Sequence, residues 1–91
     1  MTNLAYEFPV IDMEKTGENI RFLREKAGMS VKDLQEAFRF SSPQSIYKWQ
    51  WGQCLPDIAN LVMLARILKT TVDDILVVRY EETDQSERML I

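Results

Sequence analysis

Ser30–Gly52 reads SVKDLQEAFRFSSPQSIYKWQWG. Val31, Leu34 and Phe38 fall at helical spacing, and Ile46 with Trp49 resumes it after a break, so the stretch predicts two short amphipathic helices. Arg39-Phe40-Ser41-Ser42-Pro43 separates them. A hydroxyl of Ser41 or Ser42 can accept the orphan N–H groups of the second helix. Pro43 suits that helix's first position, where its missing donor costs nothing. Two helices joined by a tight polar turn can lay one across a DNA backbone and aim the next into the major groove.

Working outward, Thr16-Gly17-Glu18-Asn19 opens an earlier helix, with Thr16 as the expected cap and Glu18 near the positive end of the dipole. Ile20, Leu23 and Ala27 form its predicted inner stripe and Gly28 ends it. Ser30 caps the next helix, with Asp33 at the reciprocal position of a capping box. After Gly52, Leu55-Pro56-Asp57 restarts the chain. Ile58, Leu61, Val62, Ala65 and Leu68 then predict a fourth helix with a broad apolar face. Thr71-Val72-Asp73-Asp74 is a second capping box, opening a fifth helix expected to run to about Val78.

Both ends differ from this pattern. Leu4, Tyr6, Phe8 and Val10 alternate around Pro9, as in a short extended arm that either packs over the core or contacts a second copy. Arg79 to Arg88 is polar and acidic, and the apolar Met89-Leu90-Ile91 after it is a candidate docking tail. The expected organisation is an arm over 1–15, a helical domain over 16–78 and a polar tail over 79–91. The fold class is all-α, a compact bundle of about five helices.

With 91 residues, 46% of them hydrophobic, the chain builds one domain rather than two. No apolar run is long enough to span a bilayer, and no basic flank precedes an apolar N-terminal core. The single Cys54 cannot staple the chain, which points to a reducing, cytoplasmic compartment. Without histidine and with one cysteine, neither a metal site nor any other cofactor is implied, and the commonest general base is missing. The clustered acids Asp73-Asp74 and Glu81-Glu82 read as a cap and a solvated run, so catalysis is not expected.

Net charge is −3, but it is unevenly spread. Residues 15–52 hold seven bases (Lys15, Arg21, Arg24, Lys26, Lys32, Arg39, Lys48) against four acids, a local excess of +3. The flanking segments are acidic. Positive charge therefore gathers on the unit that would meet DNA.

The collinear series Ile20, Leu23-Arg24, Gly28, Ser30, Leu34, Ile46, Trp49, Gly52, Pro56, Leu61, Leu64-Ala65, Leu68, Thr71 and Asp74-Ile75-Leu76 resembles a known pattern. It is similar to that of the phage-repressor-like helix-turn-helix family, the XRE or Cro/repressor type, from about Thr16 to Val78. The chain departs from it at Val31, where a polar residue usually touches a phosphate, and at Arg39, where glycine usually makes the turn. Gln50 replaces an acid that in relatives pairs with an arginine of the first helix. The resemblance implies a lambda-repressor-like helix-turn-helix domain and a sequence-specific, DNA-binding transcriptional repressor. It also implies a homodimer on a palindromic double-stranded DNA site, since one module reads too few base pairs.

With Ile46 and Trp49 as core anchors, the opposite helix face carries Gln44, Tyr47, Lys48 and Trp51. Gln44 can pair with adenine, Lys48 with guanine or a phosphate, and Tyr47 with a thymine methyl or a phosphate. Equivalent family positions carry the base contacts. Lys32 with its helix's own N–H groups, Ser42, Ser45, Arg24 and Arg39 are candidates for the DNA backbone. For Arg24 two fates stay open: a neutral bond to Gln50, or a phosphate. Trp51 is expected to pack into the N-terminal arm, with sugar-phosphate and a protein partner as alternatives. The dimer surface is expected at Ile75, Val77 and Val78 with the terminal arms. The competing function is an antitoxin-like or other protein-interaction module, with a second protein as partner.

Overall fold

The structure, a computed structural model, describes residues 5–84. The elements are β1 (Ala5–Ile11), α1 (Met13–Lys26), α2 (Val31–Phe38), α3 (Gln44–Gln50), α4 (Ile58–Ile67), α5 (Val72–Ile75) and β2 (Val78–Asp84). The five helices make one compact body around Ile20, Leu34, Phe38, Ile46, Trp49, Leu64, Ala65, Leu68 and Ile75. β1 and β2 form an antiparallel two-stranded ribbon, Ile11 opposite Val78 and Ala5 opposite Asp84. The fold is therefore not purely all-α. The alternation of Phe8 and Val10 did predict an extended arm, but its partner strand lies in the segment expected to be a polar tail. The overall extents are 54 × 23 × 20 Å. The expected docking tail, Met89-Leu90-Ile91, lies outside the described residues.

α1 starts earlier than the sequence predicts. Asp12, not Thr16, is its N-cap, accepting from the Lys15 N–H at 2.9 Å. Thr16 is fully buried one turn on, and its Oγ1 accepts the Val77 N–H at 2.9 Å, tying α1 to the base of β2. Asn19 Nδ2 donates to the carbonyls of Asp74 (2.7 Å) and Ile75 (2.9 Å), satisfying the end of α5. The buried side of α1 is Thr16, Gly17, Ile20 and Arg24, while Ala27 is exposed. That side is rotated from the expected stripe because α3 packs directly on Gly17. A Cβ built there would lie 2.5 Å from the Gln50 carbonyl oxygen and 2.6 Å from that of Trp49.

The Ser30–Asp33 capping box forms on both sides. α4 keeps Leu61, Ala65 and Leu68 of its expected face on the core and adds Leu64, whereas Ile58 (83% exposed) and Val62, expected inward, face outward with Met63. α5 stops at Ile75 because Leu76 is extended, and the chain then enters β2. Ile75 itself is fully buried, which removes it from the expected dimer surface.

Candidate nucleic-acid interface

Three aromatic rings set α3 against α2. Phe38, at the end of α2, stacks on Phe40 in the turn at 5.0 Å, and both meet Trp49 edge-on at 5.5 and 5.9 Å. Edge-to-face geometry at these distances favours one relative placement of the rings. Phe40 is therefore a packing residue between α2 and α3 that helical periodicity could not single out, because it lies between helices. Arg39 precedes it in the left-handed region, with φ 57°. The glycine expected there is absent, and an arginine bears the conformational cost, about 1 kcal/mol.

Ile46 and Trp49 are buried as anchors. Neither Ser41 nor Ser42 caps α3: Pro43 occupies the N-cap position, without a side-chain cap bond. Ser42 and Ser45 are exposed beside that helix start. Gln44, Tyr47, Lys48 and Trp51 line one shallow groove on the outer face of α3. Trp51 is 63% exposed and stacks on Tyr47, with centroids 5.5 Å apart, rather than on the N-terminal arm, which is paired with β2. The two rings are one turn apart, a spacing that could have announced the stack.

Of the backbone candidates, Lys32 and Arg39 are exposed. Arg24 is not available. It is 9% exposed, and its guanidinium donates to Gln50 Oε1 (2.8 Å) and to the Met29 carbonyl (2.7 Å). The neutral partner at residue 50 is the alternative realised, and Arg24 holds α1, the following turn and α3 together. At the start of α2, the Ser30 backbone N–H, with its hydroxyl and nearby Lys32, holds the Asp33 carboxyl below its ordinary pKa.

The described residues contain no group of three or more His, Cys, Asp or Glu placed to hold a metal ion. No described helix is long and apolar enough to cross a membrane. Neither a family model, nor a curated protein, nor a solved structure matches the chain.

Proposed function

We propose that this protein is a sequence-specific DNA-binding regulator of transcription, a repressor, that reads the major groove of double-stranded DNA with α3. One observation carries the proposal: α3 is anchored from behind by buried Ile46 and Trp49 while Gln44, Tyr47 and Lys48 stand exposed on its far side. In this reading Gln44, in the first turn, pairs bidentately with adenine, and Lys48, one turn on, meets guanine or a phosphate. Tyr47 is braced by Trp51, so its ring can meet a thymine methyl in a fixed orientation. Lys32, Arg39, Ser42 and Ser45 are exposed around the same helices and supply backbone contacts. The chemistry is binding, not catalysis, and it needs no cofactor.

Selection of bound sequences from a random DNA pool tests this. Gln44→Ala and Lys48→Ala should relax the selected sequence at different positions, and Lys32→Ala should weaken all sites alike. A pool from which no sequence emerges would refute the reading. A second reading, an antitoxin-like protein-interaction module, is favoured by the outward Ile58, Val62 and Met63 of α4. Co-purification with a second protein, without any DNA shift, would select it.

A further inference from the structure

The β1–β2 ribbon has two strands only among the described residues, so each has one unpaired edge. Such a ribbon is marginally stable alone in water. Its two edges are not equivalent. At the base, the Asp12 N–H donates to the Val77 carbonyl at 2.8 Å, in the register that continues as Ile11 opposite Val78. Antiparallel ladders alternate hydrogen-bonded and non-hydrogen-bonded pairs. Ile11–Val78 and Pro9–Tyr80 are therefore non-hydrogen-bonded, and their main-chain groups point away from the ribbon. Pro9 has no N–H, which blunts the β1 edge. The β2 edge has no such block: Val78 and Tyr80 present both donor and acceptor, and Tyr80 is 64% exposed.

We propose that the β2 edge joins two copies of this chain into a four-stranded antiparallel sheet with its two-fold axis at Tyr80. Outward-pointing groups must meet outward-pointing groups, so the axis passes through a residue. An axis at Val78 would set Tyr80 opposite the partner's Leu76, whose N–H already bonds the Val72 carbonyl, and among Arg79, Tyr80 and Glu81 charge decides. An axis at Arg79 sets it opposite the partner's Arg79, and an axis at Glu81 likewise opposes two carboxylates. An axis at Tyr80 sets each Arg79 opposite the partner's Glu81, in a non-hydrogen-bonded pair with Cα atoms about 4.5 Å apart. Opposite charges directly across a sheet attract, and like charges repel. Within one chain Arg79 and Glu81 are already ion-paired on one ribbon face. The dimer closes them into a cluster of two guanidiniums and two carboxylates, beside roughly six new backbone hydrogen bonds. The contact stands on the ribbon alone; its use to pair two α3 helices on two half-sites rests on the DNA-binding function proposed above.

Sedimentation equilibrium of the full chain without DNA tests the interface. The natural protein should be dimeric. Arg79→Glu and Glu81→Arg should each weaken the dimer about tenfold, because two attractive pairs become repulsive. The double variant should return close to the natural affinity, since the exchange restores both pairs. Tyr80→Pro removes an outward N–H while sparing the ladder to β1, so it should be monomeric with an unchanged helical circular dichroism signal. If that variant loses the signal, the charge exchange decides alone. A monomeric natural protein, a folded Tyr80→Pro variant as dimeric as the natural one, or a double variant no tighter than the singles would overturn the proposal. A monomer that still selects a DNA sequence refutes the interface and leaves the DNA reading intact; a dimer that selects none does the reverse.

Discussion

Replacing Gly17 with alanine sets two effects of opposite sign against each other. In an isolated helix the change stabilises by about 1 kcal/mol, because glycine is the poorer helix former. Here the added Cβ would lie 2.5 and 2.6 Å from two carbonyl oxygens of α3 and 2.9 Å from the Gln50 carbonyl carbon. Normal separation requires α1 and α3 to part by about 1 Å. Neither helix can yield cheaply. Trp49 is held by Phe38 and Phe40, and α1 is held by the bonds of Asn19 to the end of α5. Overpacking against backbone belongs at the top of its usual range, about 3 kcal/mol. Parting the helices also stretches the Arg24–Gln50 bond, a charged hydrogen bond of about 1.5 kcal/mol or more. Set against the helix-propensity gain, and with that bond weakened rather than lost, the net loss is about 3 kcal/mol. Urea unfolding followed by circular dichroism should show the midpoint falling by about 3 M, at about 1 kcal/mol per M. Glu18→Ala, on the exposed side of the same helix, should change stability by less than about 0.5 kcal/mol. A Gly17→Ala protein as stable as the natural one would mean that α1 and α3 do not approach this closely.

Arg39→Gly should stabilise the fold by about 0.5–1 kcal/mol, since glycine holds a positive φ without strain but loses more entropy on folding. The same change should lower the salt slope of DNA affinity by about 0.9 per half-site if Arg39 neutralises one phosphate. A urea midpoint that falls refutes the first part, and an unchanged slope removes Arg39 from the backbone contacts. The Asp33 pKa is lowered in the folded state, so its contribution is present above the unfolded value of about 3.9 and is lost as pH falls through the lower folded value. Asp33→Asn should therefore flatten the acid limb of the stability–pH curve below about pH 4. An acid limb identical to that of the natural protein would show that this capping box carries no linkage.

The legible parts were those in which neighbours along the chain settle the matter. Ser30 and Asp33 form their box because both partners lie within one turn, and Ile46 and Trp49 are buried as their spacing predicts. Thr16 reads as a cap in the sequence because a hydroxyl beside a helix start carries the same local signal whether it caps or is buried. Its actual partner, Val77, lies 61 positions away. Arg24 shows the same limit: periodicity places a cation on α1, but only the approach of Gln50 decides that it is bonded inward.

Taken alone, the amino-acid order determined that there are five helices and which face of α3 is outward, because capping and apolar period act over three or four residues; it did not fix where α1 begins or where α5 ends. It could not determine which side of α4 turns inward, since Ile58, Val62 and Leu64 are equally apolar and only packing chooses among them. Nor could it foresee that 78–84 would pair with 5–11, because strand partners meet through the fold that lies between them. The closeness of α1 to α3 at Gly17 is likewise a tertiary fact: a missing side chain leaves no pattern until another backbone fills its place.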